Sequence, residues 1–77
     1  MSVTIKYFAS LAAELGRCEE QLSVAQAPTV ADAWRAANGA RVLPVNVLCA
    51  VNHAYVERSH VLVDGDELAF FPPVTGG

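Results

Sequence analysis

An unbroken apolar run, Val47–Val51, places the strongest constraint on the fold of this 77-residue chain. Turn-forming residues bound the run, and its length is typical of a strand that is buried on both faces. Asn52 and His53 then predict a hairpin turn, which leads into a brief strand over Ala54–Val56. The run therefore predicts the central strand of a sheet.

The period-2 alternation of apolar and polar residues predicts further strands over 3–8 and 20–24. A last strand is predicted at Glu67–Phe71. It lies between the turn signal Asp64-Gly65-Asp66 and Pro72-Pro73, which stops the strand because neither proline can donate to a ladder.

Two helices are predicted between these strands. Ser10 is the expected N-cap of a short helix, and Gly16 supplies a left-handed stop. Thr29 is the expected N-cap of the main helix, Val30–Ala37, which Trp34 anchors to the core. The order β-α-β-α-β-β-β predicts an α+β domain, in which a mixed sheet has this helix packed across one face.

Charge and composition narrow the possible partners. Eight acidic and five basic residues give a net charge of −3, which argues against binding to nucleic acid. No apolar run approaches the roughly 20 residues that span a bilayer. No signal peptide is visible either, so we expect no membrane contact and a cytoplasmic location. Hydrophobic residues, at 53%, are abundant for a small domain and predict an exposed docking surface.

Few residues are of the kinds that carry catalysis or bind metals. Cys49 lies in the apolar run and is expected to be an inert core thiol, whereas Cys18 is expected to be partly exposed. His53 and His60 have no Cys or His at metal-ligand spacing, so we expect no metal site. The carboxylates of Asp64-Gly65-Asp66 are expected to bond their own backbone.

The C-terminal segment is the remaining candidate for chemistry. We divide the chain into a domain, residues 1–71, and an extended tail, residues 72–77, which can reach on the order of 20 Å at about 3.3 Å per residue. Gly76 and Gly77 have no side chains and can thread a narrow channel. The terminal carboxylate is a poor acyl donor unless a partner with an ATP site activates it as an anhydride with AMP. The alternative is an inert, frayed terminus.

A specific signature is formed by Val51-Asn52 and by the ending over residues 64–77, Asp-Gly-Asp-Glu-Leu-Ala-Phe-Phe-Pro-Pro-Val-Thr-Gly-Gly. On these residues, and on Val3–Ala9 with the short helix after it, the chain resembles the small subunits of molybdopterin synthase. That family consists of ubiquitin-like sulfur-carrier proteins. The resemblance implies a β-grasp fold with a flexible Gly-Gly tail.

The resemblance also implies a carrier whose catalytic side chains lie on another subunit. An adenylating enzyme related to ubiquitin E1 would form a transient acyl-adenylate on Gly77, and a sulfur donor would convert it to a thiocarboxylate. The tail would then enter the large subunit of the synthase, a heterotetramer of two small and two large subunits. There it would donate sulfur to cyclic pyranopterin monophosphate in molybdenum cofactor biosynthesis. ATP-derived AMP is attached only transiently, and no cofactor is bound permanently.

Two groups of residues are expected to carry this function. Gly77 bears the reacting carbon, and Gly76 permits passage and close packing. Contact with the partner is expected from the residues that lead into the Gly-Gly end: Phe71, Pro72, Pro73, Val74 and Thr75. Phe70 and Phe71 point to opposite faces of a regular strand, and the resemblance favours Phe71 as the outer one.

Three alternatives remain open at this point. The first is a sulfur carrier of another pathway, of the thiamine or amino-acid type, although the Phe-Phe-Pro-Pro-Val-Thr-Gly-Gly ending favours molybdopterin. The second is a ubiquitin-like modifier joined to lysines through Gly77, for which the sole lysine, Lys6, argues against self-linked chains. The third is an interaction domain whose tail is inert.

Overall fold

The computed structural model describes residues 1–39 and 42–72. Its strands are β1 (Ser2–Tyr7), β2 (Glu19–Ser23), β3 (Leu48–Val51), β4 (Ala54–Val56) and β5 (Glu67–Phe71). Its α-helices are α1 (Ala9–Leu15) and α2 (Val30–Ala37), and a 3-10 turn at Val24–Gln26 follows β2. The predicted element order is confirmed, with the second strand beginning and ending one residue earlier than expected.

The five strands form one mixed sheet in the order β2-β1-β5-β3-β4. The central pair, β1 and β5, is parallel, with Ile5 opposite Leu68. The other three pairs are antiparallel, and β3 places Cys49 opposite Phe70. With α2 packed on one face, this arrangement is the β-grasp fold that the resemblance implied.

The hydrophobic core lies between the sheet and α2, and aromatic rings fill its centre. Trp34 is 4% exposed and meets Phe70 edge-on, with 4.9 Å between ring centroids. Tyr7 lies nearly parallel to Phe70 at 5.9 Å and edge-on to Trp34 at 6.2 Å. Such geometries stabilise a core beyond the area that they bury. The prediction that Trp34 anchors the main helix is confirmed.

Two of the predicted helix ends are confirmed. Thr29 Oγ1 accepts the backbone N–H of Asp32 at 3.3 Å, and its hydroxyl donates to the Asp32 carboxylate at 2.8 Å. This satisfies one of the free donors at the start of α2. Gly16 ends α1 in the left-handed region, with a φ of 72°, and its N–H donates to the carbonyl of Ala12.

The prediction that Ser10 caps α1 is wrong. Phe8 is the N-cap residue, it makes no side-chain hydrogen bond to the helix, and Ser10 already lies within α1. The physical reason is a tertiary contact: the Phe8 N–H donates to the Phe70 carbonyl at 3.2 Å and keeps Phe8 extended. The chain therefore turns at Ala9, which takes a φ of 54°.

The signature residues Asn52 and Asp66 join the hairpin to the start of β5. Asn52 and His53 have φ values of 50° and 73°, which confirms the predicted tight turn. The Asn52 amide donates to the Asp66 carboxylate at 2.9 Å and accepts the Glu67 N–H at 3.0 Å. Asp66 also accepts the Val63 N–H at 2.9 Å, so its carboxylate is held within the turn, as expected, whereas the Asp64 carboxylate accepts the Ser2 N–H of β1 at 2.8 Å instead of a bond from its own turn.

Candidate functional site

The end of β5 is the root of the C-terminal tail. Phe70 is fully buried in the core, whereas Phe71 is only partly buried and lies on the opposite face, which confirms it as the outer aromatic residue. Because β5 pairs with β1 on one edge and β3 on the other, the direction in which the chain leaves the sheet is fixed. Pro72 follows, partly buried. The remaining expected site residues lie outside the described residues: Pro73, Val74, Thr75, Gly76 and Gly77.

Three aromatic side chains gather on the sheet face opposite α2, and we call Phe8, Tyr55 and Phe71 the aromatic patch. Phe8 stacks on Phe71 with 4.8 Å between centroids, and Tyr55 lies 6.3 Å from Phe71. Phe8 is 40% exposed and Tyr55 is 73% exposed. Exposed aromatic residues of this kind are typical anchors in protein–protein interfaces.

Small residues beneath the aromatic patch explain why the rings can lie over the sheet. Ala50 is opposite both Ala69 on β5 and Tyr55 on β4, and both alanines are buried. Leu48, opposite Phe71, extends the apolar area. β3 is therefore covered on both faces, as the apolar run predicted, although aromatic side chains rather than a second helix layer cover its outer face.

The same sheet face is polar away from the tail. Lys6 Nζ lies 3.5 Å from Glu67 Oε1, and both side chains are 36% exposed. An ion pair that is open to solvent in this way adds little to stability. The face therefore has an apolar half beside the tail root and a charged half beyond it. In such a surface, apolar contacts can supply affinity and charges can fix the orientation of a bound protein.

The described part of the chain holds no activated nucleophile. Burial and the hydrogen bond that its hydroxyl donates to Glu20 raise the pKa of Tyr7 to about 12. Burial also raises the pKa of the Cys49 thiol, which agrees with an inert core residue. Cys18 is exposed, as expected.

No three His, Cys, Asp or Glu side chains within residues 1–39 and 42–72 lie close enough together to hold a metal ion. In the same ranges, no helix is long and apolar enough to cross a membrane. At the tail root, the described residues expose the aromatic patch.

Sequence reasoning missed Phe8 and Tyr55 as members of the site. Phe8 could have been assigned from the sequence, because alternate residues of a strand point to the same face and Phe8 follows the outward-facing Thr4 and Lys6 in this alternation. Tyr55 is the middle residue of a three-residue strand, which is too short for its alternation pattern to show which side chains face outward. The pairing of Tyr55 with Ala50 assigns it to the outer face.

Comparisons with known proteins agree with this fold. The ThiS family matches residues 5–77. The molybdopterin synthase sulfur carrier subunit of Escherichia coli (strain K12) is 64% identical over 31 residues, which span 40% of this chain and 38% of that protein.

Solved structures match over the whole length. The small archaeal modifier protein SAMP1 from Haloferax volcanii has a TM-score of 0.82 and 31% identity, with 100% of both chains covered. A Pyrococcus furiosus protein provisionally described as molybdopterin converting factor, subunit 1, has a TM-score of 0.78 and 29% identity, with coverage of 96% of this chain and 99% of that one. The predicted resemblance to ubiquitin-like sulfur carriers is confirmed, and the chain belongs to the ThiS family.

Proposed function

We propose that this protein is a sulfur carrier and the small subunit of a molybdopterin synthase. The observation that carries the proposal is the exposed aromatic patch at the tail root, on a chain whose described residues offer no catalytic group. The identity with the Escherichia coli carrier favours the molybdopterin pathway over the thiamine or amino-acid type.

The proposed chemistry takes place at the carboxylate of Gly77. An E1-like enzyme joins it to AMP from ATP with release of pyrophosphate, and sulfide supplied by a donor then attacks the acyl-adenylate and displaces AMP to leave a thiocarboxylate. Sulfur is softer and more nucleophilic than oxygen, so this group can attack a carbon of cyclic pyranopterin monophosphate and displace an oxygen leaving group. Hydrolysis of the resulting thioester leaves the sulfur on the substrate and restores the Gly77 carboxylate. The dithiolene of molybdopterin contains two sulfur atoms, and each carrier delivers one of them.

The proposed partner is the large synthase subunit, in a heterotetramer of two small and two large subunits. From their exposures, the three rings of the aromatic patch offer roughly 300 Å² of contact. A standard interface buries about 800 Å² per partner, so the patch alone is too small for a stable complex. Pro73, Val74 and Thr75 would add contact area as the tail inserts, and Gly76 would pass through the narrowest part. A closed channel also limits hydrolysis of the thiocarboxylate.

Intact mass spectrometry of the protein isolated from its native host tests the proposal. We expect a fraction in which sulfur replaces one oxygen at the C-terminus, and we expect this fraction to grow when the large subunit is deleted. A variant with one residue appended after Gly77 is the matched control, because it keeps the domain and removes the terminal carboxylate from its position. A terminus that stays unmodified under every condition would refute the carrier function. We also expect the protein in the cytoplasmic fraction.

A second candidate function is that of a protein modifier, favoured by the full-length match to SAMP1, which is described as a modifier protein. In that case Gly77 would form an isopeptide bond with lysines of other proteins. The same mass spectrometry separates the two functions, because a modifier yields branched peptides that end in Gly-Gly on target lysines.

A further inference from the structure

A groove of about 440 Å³ opens beside the tail root, on the side of α1. We call it the tail-exit groove. Its apolar lining residues are Leu11, Pro44, Val47 and Pro72; Leu11 and Val47 are buried and form the floor, whereas Pro44 is exposed and Pro72 is partly buried. Because Pro72 forms part of the lining, the groove adjoins the first residue of the tail.

The rim of the tail-exit groove is polar and carries negative charge. Ser10, Glu14 and Asn46 line it, and each side chain has an oxygen that accepts hydrogen bonds. Glu14 is exposed and contributes a carboxylate. In the described part of the chain, no basic residue lines this groove. An apolar floor below an acidic rim suits a long aliphatic stem that ends in a cation.

We propose that the tail-exit groove binds an arginine side chain of the protein that receives the tail; this inference rests on the proposed carrier function. The aliphatic stem packs on Leu11 and Val47, while the guanidinium meets the Glu14 carboxylate. Arginine suits the site better than lysine, because its five donors can serve the carboxylate and a neighbouring rim oxygen together.

The position of the groove indicates that this arginine belongs to the tail's own receiver. Phe71 lies in the aromatic patch and the next residue, Pro72, lies in the groove, so the two surfaces flank the tail root. A partner that covers the patch while it takes up the tail is therefore placed to reach the groove as well. The chain's net charge of −3 also favours a basic partner surface.

A second copy of this chain is the competing occupant of the groove. Arg58 donates to the carbonyls of Leu43 and Pro44, and Arg17 pairs with Glu20, but Arg35 is exposed on α2. The position of the groove beside the tail root favours the protein that receives the tail, and self-association is an outcome for the experiment to detect.

The test measures binding of purified carrier variants to the purified large subunit. Glu14→Gln keeps the shape of the side chain and removes its charge, so we expect about 3- to 5-fold weaker binding and a smaller salt dependence. Glu14→Lys should weaken binding about 10-fold. Glu19→Gln and Glu19→Lys are matched controls, because Glu19 is an exposed carboxylate on β2, two strands away from β5. Thermal unfolding checks that all variants keep the fold.

The outcomes separate this inference from the proposed function. If the wild-type carrier neither binds the large subunit nor delivers sulfur, the proposed function fails. If the wild type binds and the Glu14 variants behave like the Glu19 controls, the groove inference is overturned while the function stands. A change in self-association alone, seen by sedimentation, overturns it too. Restoration of Glu14→Lys binding by an Arg→Glu substitution beside the tail channel of the large subunit supports it.

Discussion

Tyr55→Ala separates docking from folding more cleanly than any other substitution in the aromatic patch. Tyr55 is 73% exposed and lies on the short edge strand β4, so its removal costs the folded state little. In the complex, the same ring would bury about 100 Å² of apolar surface that the free protein leaves in water. At about 25 cal/mol per Å², this amounts to about 2.5 kcal/mol of binding free energy.

That free energy corresponds to about 70-fold weaker binding to the large subunit. Isothermal titration calorimetry with separately purified subunits measures it, and urea unfolding of the same samples should give a free energy of unfolding close to that of the wild type. Val63→Ala is the matched control, because Val63 is 59% exposed but lies in the turn at the opposite end of β5. Equal affinities for wild type and Tyr55→Ala would refute the assignment of this face as the docking surface.

Three further predictions address the tail, the turn and the core. Gly76→Ala should impair activation or sulfur transfer and leave unfolding unchanged, and normal turnover of the folded variant would contradict threading. Asn52→Gly keeps the positive φ accessible but removes the side-chain hydrogen bonds with Asp66 and with the Glu67 N–H, so it should lower the free energy of unfolding by about 1–3 kcal/mol in urea titrations. The unfolded state releases the Tyr7 proton near pH 10 and the folded state only near pH 12, so stability should fall across this interval. Tyr7→Phe should remove that part of the pH dependence. A urea-unfolding midpoint of Tyr7→Phe that declines over this pH interval as much as that of the wild type would contradict the prediction.

The order of elements could be predicted from the sequence because its signals are local. Thr29 and Gly16 act on groups within four residues, and a period-2 pattern needs only the strand itself. The start of α1 could not be predicted in this way. It is set by the bond between the Phe8 N–H and the Phe70 carbonyl, two residues that are brought together only by the parallel pairing of β1 with β5.

The candidate site shows the same division between local and tertiary information. Alternation along one strand predicted that Phe70 and Phe71 point to opposite faces, and the family resemblance indicated Phe71 as the outer residue. The aromatic patch depends on four strands: Phe8 follows β1 and stacks on Phe71 of β5, and the β3–β4 hairpin places Tyr55 opposite Ala50. No local pattern contains the register of these pairings, so the sequence predicted one member of the patch and missed the other two.

The two ends of β5 divide the signature between stability and recognition. Asn52 and Asp66 hold the beginning of β5 through partly buried hydrogen bonds, at the end of the strand opposite the tail. Phe71 and Pro72 stand at the other end, against the aromatic patch and the tail-exit groove. Because β5 is paired on both edges, it holds the root of the tail rigidly between these two surfaces. Phe71 and Pro72 are therefore already in place for a partner that covers both surfaces, which lowers the entropy lost in ordering these two residues on binding. Asn52 and Asp66 thus fix the position of β5, whereas Phe71 and Pro72 lie where a partner of the proposed carrier would contact it.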